Sequence, residues 1–302
     1  MVFNGEAAAE NKSVPDESTK VREEHCVSND TATKKCLNNV PELELTKSEQ
    51  NTASDCVVLV PVSGGKDSQA CLKMAIAEFG AVNVRGLFCD TKFEHPLTYQ
   101  HIDYMREKYG VRIDVVCGGT VLDKTMKYKR FPGGGARHCT DELKIRETRI
   151  YLKEQAKKQG GFQVWYGMRH DESAARAKRY AYKDPDDLYP PHEVLNKYPK
   201  YLAKMGVQFR LPIIDWTDVE VMQFLEGEHN PLYDSGFKRV GCFPCLASGD
   251  KWKLKAFSHD EFGKNQRIAV KEIEGEIGKS IWTSNIGINA ENDSQGCVIC
   301  QI

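Results

Sequence analysis

With 302 residues, a formal net charge of -1 and 40% hydrophobic residues, the chain has enough apolar material for one large domain plus an appendage. Its near-neutral balance excludes a general attraction to nucleic acid, so any such partner needs a local basic patch. No run of about 18 apolar residues exists and the amino terminus lacks the apolar stretch of a secretory signal, which excludes a membrane partner and makes a soluble, cytoplasmic protein the expectation.

Residues 1–52 are rich in Glu, Lys, Ser, Thr and Asn with little apolar periodicity, and are expected to be a disordered leader because they bury too little to offset chain entropy. An alternation of strand and helix patterns follows, as in an α/β domain whose parallel sheet carries helices on both faces. The first strand, Cys56–Val62, breaks into Ser63-Gly64-Gly65-Lys66-Asp67-Ser68 before a helix expected over Gln69–Phe79. Gly64 and Gly65 can take backbone angles closed to other residues and turn consecutive N–H groups toward one anion, while the helix start adds its positive end. Lys66 contributes a full charge, and Asp67 can orient a Mg2+ ion bridging phosphate oxygens. The Lys66 ammonium is expected to face solvent, so that Lys66→Ala removes phosphate binding and spares the fold. The spacing is not that of the nucleotide P-loop, so a GTPase or motor ATPase is not implied.

The second strand is expected over Val84–Cys89, followed by Asp90-Thr91-Lys92-Phe93-Glu94-His95-Pro96-Leu97-Thr98, a helix over Pro96–Tyr109 and a third strand over Arg112–Cys117. Lys124, Lys127, Lys129 and Arg130 make a local basic patch that either meets a nucleic-acid backbone or is a solvated loop. Arg137-His138-Cys139-Thr140-Asp141-Glu142-Leu143-Lys144 sets Cys139 between cations at the start of a helix over Thr140–Lys158, an environment that lowers a thiol pKa. A strand over Phe162–Met168 leads to Arg169, and helical spacing can gather Ser173, Arg176 and Arg179 on one side. Lys183–Tyr201, with four prolines, reads as a long loop with the makings of a lid. Leu211–Asp215 closes the strand series before Thr217-Asp218-Val219-Glu220, a capping box that starts a helix. Ser63, Asp90 and Arg169 all fall at carboxyl ends of strands, where open parallel sheets bind ligands.

Eleven cysteines in a reducing compartment point to metal or catalytic use rather than disulfides. Cys56, Cys71, Cys89 and Cys117 lie in apolar segments and read as core residues. Cys242-x-x-Cys245 can chelate one soft metal centre, and Cys297-x-x-Cys300 supplies a second pair. Two arrangements stay open: Cys139, Cys242 and Cys245 joined by Cys297 or Cys300 around a 4Fe-4S cluster, or both pairs on a structural zinc with Cys139 free. Residues 53–232 are taken as the nucleotide-binding domain and residues 233–302 as a small Cys-rich module.

The strand, Ser-Gly-Gly-Lys-Asp-Ser and helix unit resembles the PP-loop of the ATP pyrophosphatase superfamily. Asp90 to Thr98 is similar to the Asp-Thr-Gly-x-x-Phe-Pro-Glu-Thr segment of phosphoadenosine phosphosulfate (PAPS) reductases, and Gly167 to Arg176 to their Gly-x-Arg-x-x-Glu-Ser-x-x-Arg segment. With Leu211–Thr217, Asn230–Phe237 and Gly241-Cys242-Phe243-Pro244-Cys245, the resemblance runs over residues 54–248 and extends to reductase-like relatives and DNA-phosphorothioation-type sulfurtransferases. It implies an adenine nucleotide alpha-hydrolase-like fold and an enzyme that uses PAPS, adenylyl sulfate (APS) or ATP, with a thiol or sulfur-donor protein as partner. Ser63, Gly64, Gly65, Lys66 and Ser68 would hold phosphates, Asp67 a Mg2+ ion and Asp90 the nucleoside side, while Arg137, Lys144, Arg169 and Arg176 would meet anionic oxygens. Lys66, Cys139, Arg169 and Cys300 are the catalytic candidates, and the resemblance favours iron-sulfur over zinc. Lys92 replaces the family glycine, His95 intrudes, and His138 stands where cluster-bearing reductases have another cysteine. The Glu-Cys-Gly-x-His motif of thiol-dependent reductases does not occur, which keeps ATP-dependent thiolation of DNA or tRNA as the alternative, with a non-catalytic nucleotide-binding regulator behind it.

Overall fold

The computed structural model describes residues 56–133 and 136–283. The expected leader over residues 1–52 and the thiols of Cys297 and Cys300 lie outside the described residues.

Among the described residues, five strands form one sheet: β1 Val58–Val62, β2 Val84–Asp90, β3 Arg112–Cys117, β4 Gln163–Trp165 and β5 Gln208–Arg210, in the order β3-β2-β1-β4-β5 with every neighbouring pair parallel. Parallel neighbours need crossovers, and helices supply them. They are α1 Lys66–Phe79, α2 Pro96–Tyr109, α3 Val121–Tyr128, α4 Arg146–Gln159, α5 Ala174–Tyr180, α6 Pro191–Val194, α7 Lys200–Lys204 and α8 Asp218–Leu225, followed by α9 Asp250–Phe257 and α10 Glu261–Ile277.

Alternation along β1 divides the core. Val58, Val60 and Val62 pack with Ala70 and Leu72 of α1, Met105 of α2 and Val221 of α8. The intervening Leu59 joins Leu152 and Ala156 of α4 and Leu202 of α7 in a second core. Burial on both faces is why this strand reads as an unbroken apolar run, and it bears out the expected α/β fold with helices on both faces.

Three segments differ from the sequence expectation. The last strand forms at Gln208–Arg210, while Pro212–Asp215 is a series of turns. Pro212 cannot donate to a ladder, and Leu211, Ile213 and Ile214 are instead inserted into the cores. Lys183–Tyr201 is not a lid: Val194, Leu195 and Tyr198 are buried in the α4-side core, and Tyr189 and Phe209 exchange two backbone hydrogen bonds of 2.8 Å. The helix after Cys139 opens as a wide π-helical turn over Thr140–Ile145 before becoming α4.

The patch residues Lys124 and Lys127 sit on α3, where both pair with Glu142 at 3.1 and 3.3 Å. Residues 233–283 share apolar clusters with the sheet domain: Phe93, Val121 and Leu143 pack with Leu246, Phe257 and Val270, and Leu232 with Phe237 and Phe243. Among the described residues no helix is long and apolar enough to cross a membrane.

Candidate functional site

β1 is flanked by β2 on one side and by β4 on the other, so the chain changes direction across the sheet between β1 and β4. The loops leaving these two strands part there and open a crevice. They carry Ser63–Lys66 and Gly167–Arg169.

The first loop is a compact turn. Gly64 has φ +75°, a backbone conformation that glycine tolerates, and a Cβ there would meet Thr98 Cγ2 at 2.5 Å. The Ser63 N–H donates to Ser68 Oγ at 3.2 Å, the Gly65 N–H to Ser63 Oγ at 3.4 Å and the Lys66 N–H to Tyr233 Oη at 3.1 Å. α1 starts at Lys66, three residues before the sequence suggests, so Lys66, Asp67 and Ser68 all belong to its first turn.

Lys66 does not face solvent. Its side chain is 4% exposed and its ammonium lies 2.8 Å from Asp67 Oδ1 and 2.6 Å from Asp218 Oδ1. Arg169, equally buried, binds the same two carboxylates, with Nε 2.7 Å from Asp67 Oδ1 and Nη2 2.8 Å from Asp218 Oδ1. Its Nη1 donates to the Trp216 carbonyl at 3.1 Å and lies 3.3 Å from Asp171. Burial alone would raise the Asp218 carboxyl, but the Lys66 ammonium and then Arg169 hold it below its ordinary value. Arg176 is linked to this group through Glu172. It pairs with buried Glu172, whose Oε1 accepts the Arg169 N–H at 3.0 Å.

Asp90, at the end of β2, accepts hydrogen bonds from the Lys92 N–H and Tyr99 Oη, both at 2.8 Å, and pairs with Lys92 Nζ at 2.9 Å. Lys92, in the place of the family glycine, has φ +55° and satisfies its backbone through this carboxylate.

A second group lies beyond β2 and β3. Cys139, Cys242 and Cys245 line one small cavity together with Arg137, Lys144, Thr91 and Thr140. An antiparallel bridge between Glu94 and Cys242, with the Phe243 N–H donated to Phe93 O at 2.7 Å, fastens the cysteine loop to the loop after β2. Thr91 Oγ1 is 3.3 Å from Cys242 Sγ and donates to Glu94 Oε1 at 2.7 Å.

Burial pushes the Cys242 and Cys139 thiols up, with the Lys144 ammonium opposing it in both. The lowered thiol expected for Cys139 is therefore not found. The residue is already helical, at φ -61° and ψ -44°, and its partly buried side chain lines the cavity, where desolvation outweighs the nearby Lys144. A thiolate-binding metal reverses this balance by supplying positive charge, so three partly buried thiols lining one cavity with Lys144 and Arg137 suit such a centre. Among the described residues, the group whose ligand atoms lie within 4.8 Å of one another is instead His95, His259 and Asp260. There His95 caps α2, its Nδ1 accepting the Leu97 N–H at 3.1 Å, which leaves the ring proton on Nε2, 2.7 Å from Asp260 Oδ2. That protonated nitrogen clamps α2 to α10 and has no lone pair for a metal.

Sequence reasoning took Asp218 only as part of a helix cap, did not single out Tyr233, and did not anticipate the buried Glu94. The signal for Asp218 was its place at the start of a helix just beyond a strand, facing the crevice.

The family model described as "Phosphoadenosine phosphosulfate reductase domain" matches residues 57–248. An uncharacterized 37.8 kDa protein of Escherichia phage 186 is 28% identical over 244 residues, covering 64% of this chain and 68% of the phage protein. The adenosine 5'-phosphosulfate reductase of Pseudomonas aeruginosa is 30% identical over 171 residues, 54% of this chain and 57% of the reductase, so the chain spans little more than half of that relative. Among solved structures, a PAPS reductase from Candida auris in a phosphate complex aligns with a TM-score of 0.41 at 15% identity, covering 63% of this chain and 83% of that one. The match over residues 57–248 takes in both loops of the crevice and the Cys242–Cys245 pair, and the chain belongs to the phosphoadenosine phosphosulfate reductase domain family, with its nucleotide-binding PP-loop fold.

Proposed function

We propose that the chain binds an adenine nucleotide, PAPS, APS or ATP, and uses it for sulfur reduction or transfer. The observation that carries this reading is that two buried cations, Lys66 and Arg169, stand at the crevice between β1 and β4, while three thiols line a cavity beyond β2 and β3. Ser63, Gly64, Gly65, Lys66 and Ser68 take phosphate oxygens, Asp67 a Mg2+ ion, and Asp90 the nucleoside side. Arg169 stabilises negative charge that develops on the phosphate or sulfate, and Arg137 and Lys144 do so next to the thiols. Arg176 acts as a positioning residue through Glu172.

Cys139, Cys242 and Cys245 hold a 4Fe-4S cluster, with Cys297 or Cys300 as the fourth thiolate and the other free to act as nucleophile. Such a cluster, when bound, supplies a redox-active iron centre held by thiolates. The resemblance to cluster-bearing reductases supports it over a single structural zinc. Free thiols at Cys56, Cys71 and Cys89 suit a reducing cytoplasm. Relatives named adenosine 5'-phosphosulfate reductase support the reductive branch.

The resemblance to DNA-phosphorothioation-type sulfurtransferases supports a second reading, in which ATP drives sulfur transfer to DNA or tRNA with a sulfur-donor protein. The test is an anaerobic titration of the full chain with APS, PAPS and ATP, followed by product analysis. Sulfite released from a sulfonucleotide with a thiol donor supports the first reading. Pyrophosphate released from ATP only with added nucleic acid supports the second, and failure to bind any of the three nucleotides overturns both.

A further inference from the structure

Lys66, Arg169, Asp67 and Asp218 form a closed ring in which each cation touches both carboxylates, through one oxygen of each, at 2.6 to 2.8 Å. The ring is neutral, as it has to be: two cations with side chains 4% and 3% exposed cannot stay charged without counter-charges beside them. The two carboxylates differ in one respect. Asp67 is 9% exposed, whereas the Asp218 side chain is 62% exposed. Asp218 is thus the member of the ring that meets solvent, and an anion approaching Lys66 and Arg169 meets it first.

The cap of α8 does not use this carboxylate. α8 is capped by Thr217 and Glu220, which satisfy each other's backbone N–H groups, and the Asp218 N–H donates to Asp171 Oδ2 at 3.1 Å. The N–H groups of Thr217, Asp218 and Glu220 are therefore met without the Asp218 side chain. Tyr233 repeats the pattern on the backbone, its hydroxyl accepting the Lys66 N–H, a donor that would otherwise point at an incoming oxygen.

We propose that Asp218 is a displaceable counter-anion: its Oδ1 occupies the place of a ligand oxygen on Lys66 Nζ and Arg169 Nη2, and a polyanionic phosphoryl group binds by exchanging with it. This rests on the reading that Lys66 and Arg169 receive the phosphates of a nucleotide. Asp67 stays with the two cations, so the ligand must bring at least the charge that Asp218 withdraws. A multiply charged phosphate does so with surplus, and a neutral or weakly charged ligand does not dislodge the carboxylate. The measured affinity for a polyanion is the intrinsic affinity reduced by the cost of releasing Asp218, as for any site whose competent state is a minor one.

Inorganic pyrophosphate is the probe, titrated calorimetrically into the full chain and into Asp218→Asn, Asp218→Ser and Lys66→Met. Wild-type binding that disappears in Lys66→Met locates the ligand on the ring. Both Asp218 variants are then expected to bind pyrophosphate about tenfold tighter or more, since the competing carboxylate is gone and one buried positive charge is left uncompensated. Their ligand-free melting temperatures should fall, and saturating pyrophosphate should raise them by more than it raises the wild type. Two substitutions are used because Asn keeps a hydrogen-bonding arm over the cations and Ser does not. If the wild type binds in a Lys66-dependent manner and neither variant binds tighter, the exchange is wrong while the nucleotide reading stands. If neither the wild type nor the Asp218 variants bind pyrophosphate at all, both fail.

Discussion

Gly167 lies against the backbone of Asp67: a Cβ built on it would sit 2.6 Å from the Asp67 carbonyl oxygen and 3.0 Å from the Ser68 amide nitrogen. The exit of β4 and the first turn of α1 are therefore packed backbone to backbone, and this contact sets how far Arg169 stands from Lys66. Gly167→Ala should push the two loops apart. A loss of about 1–3 kcal/mol in stability is expected, the usual cost of overpacking, because the obstacle is main chain and cannot rotate away. Nucleotide affinity should fall with it. Unchanged denaturant midpoint and unchanged affinity would show that the two loops separate freely.

Removing the Lys66 ammonium should cost stability as well as binding. Lys66→Ala leaves Asp67 and Asp218 facing Arg169 alone, and breaking a buried pair costs on the order of 3 kcal/mol. Melting temperature and nucleotide binding should both drop. Adding Asp218→Asn to Lys66→Ala is expected to recover part of the stability and none of the affinity. A Lys66→Ala protein as stable as the wild type would show that the ammonium is not held in the ring.

Stability should decline on mild acidification through His101. Its Nε2 lies 2.8 Å from Gln69 Oε1 in a buried site, and burial, with His229 adding to it, pulls the imidazole down to about 4 from an ordinary 6.5. Between those values the unfolded chain takes up a proton that the folded chain refuses. This contribution is therefore whole above about pH 6.5, shrinks as pH falls and levels off below about pH 4. The gap is worth on the order of 3 kcal/mol. Urea titrations from pH 7.5 to pH 4 should give a flatter profile for His101→Gln than for the wild type, and parallel profiles would assign the slope to other groups.

Anaerobically prepared protein should be brown, with broad absorption near roughly 400 nm. Ser in place of Cys139, Cys242 or Cys245 should bleach it and release iron, whereas Cys71→Ser should not, because Cys71 is enclosed by the α1-side core. Single Ser substitutions at Cys297 and Cys300 identify the fourth ligand as the one whose loss removes the colour. Stoichiometric zinc without iron would replace the cluster by a structural clip.

The strand–helix alternation and the Ser63–Ser68 loop are legible in the sequence because both rest on local rules: apolar runs buried on two faces, and glycines at a strand-to-helix turn. The errors arise where long-range packing decides. Leu211–Asp215 has the apolar content of a strand, yet Pro212 and insertion into the cores turn it into bends. The prolines of Lys183–Tyr201 suggest a loop, while Tyr198 and Leu195 bury it. Within the site, residue types fix which cations and thiols are present but not their partners. That Lys66 is enclosed depends on Asp218, some 150 positions away in the chain. That Cys139 is desolvated depends on Cys242 and Cys245 arriving over it, which no spacing around Cys139 reveals.

The wide turn at Thr140–Ile145 makes chain length itself a determinant of the thiol cavity. Each helical residue advances the side-chain direction by about 100°, so a turn holding one residue more than an α-helix sets Cys139 and α4 out of phase by that angle. Loss of one partly exposed residue there, such as Asp141, would restore an ordinary helical turn and, with Leu152 and Ala156 held in their core, rotate Cys139 away from Cys242 and Cys245. Related chains that keep every cysteine but lack that one residue would then retain the fold while their thiols no longer converge. An alignment that scores only residue identity would miss the difference, because what has changed is a count.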